Sequence, residues 1–368
     1  MTTDVIAPAR TLRVGFVGGG FMATVHSRAA RAARAELAGG TSSSAERARD
    51  AAERLGFDAA FDTVDALVAD PDIDVVHICT PNTTHAAIAR AALEAGKHVI
   101  CEKPLATTSA DAAELVALAA ERDLVAAVPF VYRFHPMARE ARARVARGET
   151  GRLLSVHGAY LQDWLAGRSD DDWRVDASLG GPSRAFADIG SHLVDLMEFV
   201  SGDRIVRLSA STRTVYEARA TNVDIDTEDL VAVVVELASG AVGTLLVSQV
   251  APGRKNALSI ELSGVDASVR FEQERPEQLW LGRTDASSVI DRDPARLAAD
   301  AARLAVVPAG HPMGYQDAFN AFVADAYAAI GGETPEGLPR FDDGLRAVRV
   351  TEAVLASAAS DTWMEVPA

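Results

Sequence analysis

Cysteine is nearly missing from this chain: Cys79 and Cys101 are the two in 368 residues, each inside a short apolar run. That scarcity excludes a disulfide framework or a cysteine-based zinc site and fits two small core side chains. Positive charge is also short, with 36 Lys and Arg against 52 Asp and Glu and a formal net charge of -16. No dense Lys/Arg run with interleaved aromatics reverses that sign locally, so nucleic acid is not an expected partner. No stretch approaches the roughly 20 apolar residues of a membrane span, which removes the membrane as a partner. Residues 1–10 lack the apolar core of a secretory signal, and the expected location is cytoplasmic. What remains, 48% hydrophobic and 24% charged, is the composition of a globular protein with one to three domains.

From Leu12 the chain alternates between apolar runs and amphipathic segments. LRVGFV, AELAGG, AAF, DVVHIC, HVIC and LVAAVPF read as strands, and 22–33, 44–55, 63–69, 85–95 and 109–122 as helices. Strands separated by helices pair in parallel through right-handed crossovers, which predicts an α/β, doubly wound Rossmann sheet covered on both faces over 1–128. Residues 129–368 change character. A helix over 137–146, a strand over 153–161 and a helix over 185–200 precede IVRLSAST, LVAVVVEL, AVGTLLVSQ, ALSIELSG, ASVRFEQ and QLWLG. Turns such as ASGAVG and SGVDAS between them predict a C-terminal α/β domain with an open, mostly antiparallel sheet. Helices over 315–330 and 342–360 close the chain, the last able to pack back on the first domain. The weakly periodic stretch 283–311 is expected to be a surface excursion.

The first strand runs into GGGFMA, a G-x-G-x-x-A turn with Gly18, Gly20 and Ala23. Such glycines let the backbone approach a pyrophosphate at the positive end of the following helix. In a parallel sheet, ligands lie beyond the carboxyl ends of strands, where Thr80, Pro81 and Asn82 of TPNTTH fall; the same residues also suit a plain helix cap. Glu102, Lys103 and Pro104 follow the next strand, placing a cation at the mouth of the same crevice. In DIGSHLVD, Asp188, His192 and Asp195 occupy i, i+4 and i+7 and so share one face of an α-helix. Asp188 and His192 fit a base held by a carboxylate, or a helix-dipole carboxylate beside a surface histidine. No further His or Cys lies nearby at ligand spacing, so no metal is expected.

The ordered set GGGFMATVH, TPNTTH, GKHVICEKPLA, YRFHP and DIGSHLVD resembles the Gfo/Idh/MocA oxidoreductase family over nearly the whole chain. GAYLQDW followed by DDWR is similar to the branch that contains levoglucosan dehydrogenase and related pyranoside dehydrogenases. The resemblance implies a Rossmann domain followed by an α/β domain whose open sheet often mediates homo-oligomers, here a dimer or tetramer. It implies that Lys103 orients a reacting hydroxyl near a nicotinamide, His192 takes its proton and Asp188 positions the imidazole. Gly18, Gly20, Phe21 and Met22 would contact the pyrophosphate, with Thr80, Pro81, Asn82, His85 and Glu102 on the ribose and nicotinamide side. Tyr132, Gln162, Asp163, Trp173, Arg174, Asp195 and Tyr315 would face a carbohydrate substrate. The implied activity is NAD(P)-dependent oxidation of a secondary hydroxyl of a sugar or cyclic polyol, at C3 of a pyranose in the similar branch. Glycoside cleavage by transient oxidation and non-catalytic nucleotide-dependent regulation are the alternatives.

The acidic residue that binds the adenosine ribose is expected roughly 20 residues beyond Gly18. TSSS stands there instead, with Ser42 and Ser43 in place of a carboxylate. An acid would repel a 2′-phosphate and the serines do not, while Arg47 lies one turn into the next helix, within reach of such a phosphate. This favours NADP over NAD, although TSSS also suits a cap of that helix.

Overall fold

The protein, described here over residues 11–367 of a computed structural model, is built on two sheets. The reading of residues 1–10 lies outside the described residues. The first sheet has five parallel strands in the order β2-β1-β3-β4-β5. They are β1 (Arg13–Val17), β2 (Glu36–Thr41), β3 (Val75–Ile78), β4 (His98–Cys101) and β5 (Ala126–Ala127). Parallel strands buried on both faces must be apolar throughout, as these are, and alternate residues serve opposite layers. Val14, Phe16, Val75 and Ile100 pack with the helices Phe21–Ala32 and Tyr315–Ile330. Val17, Val76, Ile78, Val99 and Cys101 pack on the other side with the helices His85–Glu94 and Ser109–Glu121. The run AAF contributes one bridge, Gly40 to Ala60, and no strand; its ring Phe61 instead lies against Gly39.

The second sheet has nine strands, ordered β13-β12-β11-β10-β6-β9-β8-β7-β14. They are β6 (Leu153–Leu161), β7 (Ile205–Arg213), β8 (Leu230–Leu237), β9 (Val242–Ser248), β10 (Ala257–Gly264), β11 (Ser268–Glu272), β12 (Gln278–Gly282), β13 (Ser287–Asp291) and β14 (Met364–Glu365). Pairing is antiparallel except between β6 and β9. The alternation Val231, Val233, Val235, Leu237 in β8 turns one face onto the helices Pro136–Ala146 and Ser191–Ser201. The final helix, Phe341–Ser360, joins the two cores: Leu345 and Val348 pack with the first sheet's layer, and Val350 and Val354 with the second's.

Residues 283–311 are more ordered than an excursion. They supply the edge strand β13 and the short helix Ala299–Leu304, and they bury Arg292, whose guanidinium donates to Val307, Pro308 and His311 carbonyls. A core built on one arginine and the carbonyls around it leaves no apolar period for sequence reading to detect.

The helix expected over 185–200 opens with a π turn, Phe186–Gly190, before becoming α-helical at Ser191. A π turn advances each residue by a smaller angle than an α turn, so regular α-helical spacing begins only at Ser191.

Candidate active site

The carboxyl ends of the first sheet and one end of the second border a single cleft of about 960 Å³. On its first wall, Gly18 has φ +104°, and a Cβ there would lie 2.4 Å from the Cys79 carbonyl oxygen, so the turn requires glycine. An added Cβ at Gly20 would meet nothing within 4 Å, and Gly20 caps the helix Phe21–Ala32 without a side chain. The first amides of that helix therefore face the cleft, the arrangement that takes a pyrophosphate. Arg54, unremarked in the sequence, braces the turn by donating to the Gly19 carbonyl and to Thr24 Oγ1.

Ser42, Ser43 and Arg47 line the cleft at the end of β2. Arg47 donates to Ser43 Oγ at 3.0 Å, and its backbone N–H is capped by Ser44 Oγ at 3.2 Å. Capping thus falls to Ser44 and leaves Ser42 and Ser43 facing the cleft.

Thr80, Pro81, Asn82, His85 and Glu102 lie along the same wall. Asn82 Nδ2 donates to the Gly180 carbonyl at 2.9 Å, tying the turn after β3 to the second domain. Both nitrogens of the buried His85 meet carbonyl oxygens, of Pro104 at 2.7 Å and Thr80 at 2.9 Å, so this ring shapes the wall.

Lys103 follows β4, and its Nζ donates to Asp188 Oδ1 at 2.5 Å and to the Asp188 carbonyl at 2.9 Å. Gln249, just past β9 and absent from the sequence reading, donates to Asp188 Oδ2 at 2.7 Å, while Arg174 Nε stands 3.6 Å from Oδ1. Burial opposes a charge on Asp188, yet the Lys103 and Arg174 cations and the Lys103 hydrogen bond hold its carboxyl well below the ordinary range. The expected contact in which Asp188 positions the His192 imidazole does not form: Oδ1 accepts from Lys103 and Oδ2 from Gln249. His192 Nδ1 is buried without a hydrogen-bond partner, and the ring rests against Phe130 and Tyr132. Burial first, then the Lys103 charge, push its pKa down to about 3, against weaker upward pulls from Glu102 and Asp188. The imidazole is neutral at pH 7 and has a lone pair for a proton.

Opposite lies a chain of polar side chains from the end of the second sheet, joined by Tyr132 of the short turn Val131–Phe134. Tyr132 and Tyr160 share a hydrogen bond of 2.5 Å, Tyr160 donates to Asn256 Oδ1 at 2.7 Å, and Gln162 Nε2 donates to the same atom at 2.8 Å. Trp164 Nε1 donates to Gln162 Oε1 at 2.8 Å. Tyr160, Trp164 and Asn256 belong to this wall and were not foreseen, because they come from strand ends that only the fold brings together. Trp173, under the Arg174 guanidinium at 4.4 Å, and Tyr315 complete it.

Two expected substrate contacts stand elsewhere. Asp163 is outside the lining and pairs with Lys255 at 2.7 Å and the Gly253 amide. Asp195, one turn beyond His192 in the same α-helix, accepts from Arg133 in a separate cavity that also holds Asp343 and Arg346. Burial pushes its pKa up to about 7 despite Arg133. Among the described residues no group of three or more His, Cys, Asp or Glu is placed to hold a metal ion.

A dinucleotide cradle on one wall, with a cation and a neutral base beside it, defines a nicotinamide-dependent oxidoreductase. The chain belongs to the GFO/IDH/MocA family: residues 12–130 match its oxidoreductase family, NAD-binding Rossmann fold model, and residues 138–270 match its C-terminal domain. Levoglucosan dehydrogenase of Pseudarthrobacter phenanthrenivorans is 33% identical over 97% of this chain and 99% of its own length. Among solved structures, an oxidoreductase domain protein from Kribbella flavida superposes with a TM-score of 0.90 at 34% identity, covering 97% of this chain and 100% of that one. Levoglucosan dehydrogenase in complex with NADH and levoglucosan does so with a TM-score of 0.91 at 32% identity, covering 97% and 100%. No helix among the described residues is long and apolar enough to cross a membrane.

Proposed function

We propose that this protein catalyses reversible NAD(P)-dependent oxidation of a secondary hydroxyl on a pyranose or cyclic polyol, at C3 by resemblance to the pyranoside branch. The observation that carries the reading is Lys103, clamped by Asp188, in the same cleft as the partnerless imidazole of His192. When bound, the nicotinamide supplies a hydride acceptor for the carbinol carbon. The Lys103 ammonium stabilises negative charge developing on the hydroxyl oxygen, and His192 accepts its proton. That growing charge also raises the proton affinity of an imidazole otherwise held low by burial. Asp188 and Gln249 are positioning residues for Lys103. Tyr132, Gln162, Trp164 and Asn256 offer the closely spaced donors and acceptors that a polyhydroxylated ring needs, with Trp173 and Tyr315 as apolar surfaces.

NADP(H) is the favoured cofactor in this proposal, supported by Ser42, Ser43 and Arg47 at the end of β2. A cytoplasmic location belongs to it too, since a nicotinamide substrate is regenerated inside the cell. So does a homo-oligomer, dimer or tetramer, supported by the uncovered face of the second sheet: Leu154, Val234, Val242 and Leu246 are 40–50% exposed there. The test is a panel of pyranoses and cyclic polyols with NAD+ and NADP+, followed by near-ultraviolet absorbance of the reduced nicotinamide. Absence of turnover across the panel with both cofactors sinks the proposal.

A further inference from the structure

A second set of titratable groups lies beneath the cleft, used by none of the chemistry above. His26, in the cradle helix, and His77, on β3, are 0% exposed; Glu102 after β4 is 6% exposed and Tyr327, in the helix Tyr315–Ile330, is 8% exposed. They form one unbroken chain. Tyr327 Oη lies 2.8 Å from His77 Nε2, His77 Nδ1 lies 2.8 Å from His26 Nδ1, and His26 Nε2 lies 3.0 Å from Glu102 Oε1. Glu102 Oε2 accepts the Lys103 backbone N–H at 3.2 Å. The chain therefore ends on the residue before the proposed alkoxide-stabilising lysine, in a carboxylate that lines the cleft.

The donors and acceptors allow two arrangements with the same heavy-atom positions. With both imidazoles neutral, Tyr327 O–H donates to His77 Nε2, His77 Nδ1–H donates to His26 Nδ1, and His26 Nε2–H donates to Glu102. Every hydrogen then points toward a carboxylate whose charge is not neutralised within the chain. One added proton reverses the upper links. His26 becomes an imidazolium that donates to both Glu102 and His77 Nδ1, and His77 Nε2–H donates to the Tyr327 oxygen. Tyr327 suits both states because a phenol can donate or accept.

We propose that Tyr327, His77, His26 and Glu102 are a one-proton relay that matches the charge beneath Lys103 to the redox state of the bound nicotinamide. The inference rests on the NAD(P) reading given above. The hydride acceptor must lie beside the hydroxyl held by Lys103 and His192, and hence near Glu102. An oxidised, cationic ring favours the Glu102 carboxylate beside a neutral His26. A reduced, neutral ring withdraws that positive charge, and the chain takes one proton from bulk water to form His26 imidazolium; no electron pair leaves the chain. The other groups facing Glu102 are the cations Lys103 and Arg174, the imidazoles His85 and His192, the Tyr315 phenol and the Cys79 and Cys101 thiols. Around His77 and His26, besides each other and Tyr327, stand the rings of Phe16 and Phe319. Burial and the neighbouring His26 keep His77 well below its ordinary pKa, so the extra proton settles next to Glu102.

Calorimetric titration of the full chain with oxidised and with reduced cofactor, near neutral pH in buffers of different ionisation enthalpy, counts protons taken up on binding. The reduced form should take up more than the oxidised form, by up to one proton. Tyr327→Phe removes the hydroxyl that donates to His77 Nε2 in the neutral state and accepts His77 Nε2–H in the protonated one; a buried N–H left without an acceptor disfavours the protonated state, so this difference should collapse while both forms still bind. His77→Phe should do the same and keeps an aromatic ring against Phe16; where it fails to fold, Tyr327→Phe decides. An equal proton count for the two forms in the unaltered protein overturns the relay. So does a difference that survives Tyr327→Phe, which would place the proton on His192, a residue this substitution does not touch. Failure of the unaltered protein to bind either form is a distinct result that removes the NAD(P) reading itself.

Discussion

Replacing Lys103 with methionine keeps much of the side chain's length and removes the ammonium that donates to Asp188 at 2.5 and 2.9 Å. The loss has two separable parts. Loss of one donor aimed at a developing oxyanion lowers turnover by about 10²–10³-fold, or about 2.7–4 kcal/mol. On the stability side, Asp188 is about one-seventh exposed and keeps Gln249 at 2.7 Å and Arg174 at 3.6 Å, so it is not stripped of partners. The expected destabilisation is about 1–3 kcal/mol, the cost of one lost partner to a buried polar group, and not the larger cost of an abandoned charge. Turnover at saturating cofactor and sugar, cofactor affinity by fluorescence, and urea unfolding read the two parts independently. Cofactor affinity should change little. Adding Asp188→Asn to Lys103→Met should restore stability without restoring turnover, because the carboxylate that lost its ammonium partner is gone but the ammonium is still missing. Turnover within about tenfold of the unaltered protein, below the range expected for a lost oxyanion donor, would refute the role given to Lys103.

Three further outcomes are expected. With the His192 pKa near 3, kcat/KM for oxidation loses activity as pH falls through the low value of this base, not near 6.5; Lys103→Met moves that limb upward by removing a cation that depresses it. A pH–rate profile with an unshifted limb in the variant contradicts this. Ser42→Asp should reverse a preference for NADP(H), and a preference for NAD in the unaltered protein would show that the missing acid does not govern the choice. Asn256→Ala removes the acceptor shared by Tyr160 and Gln162 and should raise KM for sugar about tenfold, the worth of one to two hydrogen bonds, with cofactor affinity unchanged; an unchanged KM excludes that wall from sugar binding.

The first sheet could be read from the chain because its strands are buried on both faces and its helices on one, so that continuous apolar runs alternate with amphipathic ones. The second could be read because β8 and β9, and then β10 to β12, follow each other through short turns. The AAF run fails as a strand since a single parallel bridge, Gly40 to Ala60, is all it makes. Residues 283–311 fail because they organise around Arg292, a charged side chain in a buried position. Motif position suffices for the glycine turn, for Thr80 and Asn82, and for Lys103 and His192, all of which line one cleft. Helical spacing misleads at Asp195, whose carboxylate is taken by Arg133 in a separate cavity although it lies one turn beyond His192 in the same α-helix. Gln249, Tyr160 and Asn256 enter from strand ends distant in sequence, and no local pattern marks them. His26, His77 and Tyr327 are likewise invisible as a group: each taken singly is a buried ring, and only the packing of three elements makes them a chain.

The central claim is that hydride passes from a carbinol carbon of a carbohydrate or cyclic polyol to a nicotinamide that would bind in the cleft lined by Lys103 and His192. The direct measurement is isotopic: a substrate from the active panel, deuterated at one carbinol carbon at a time, is incubated with oxidised cofactor, and the reduced cofactor is examined by NMR. Deuterium on the nicotinamide from a single labelled carbon, at a rate lowered about 10²–10³-fold in Lys103→Met, is the expected result. Reduced cofactor that carries no substrate deuterium from any carbon, or label transfer indifferent to Lys103, would contradict it.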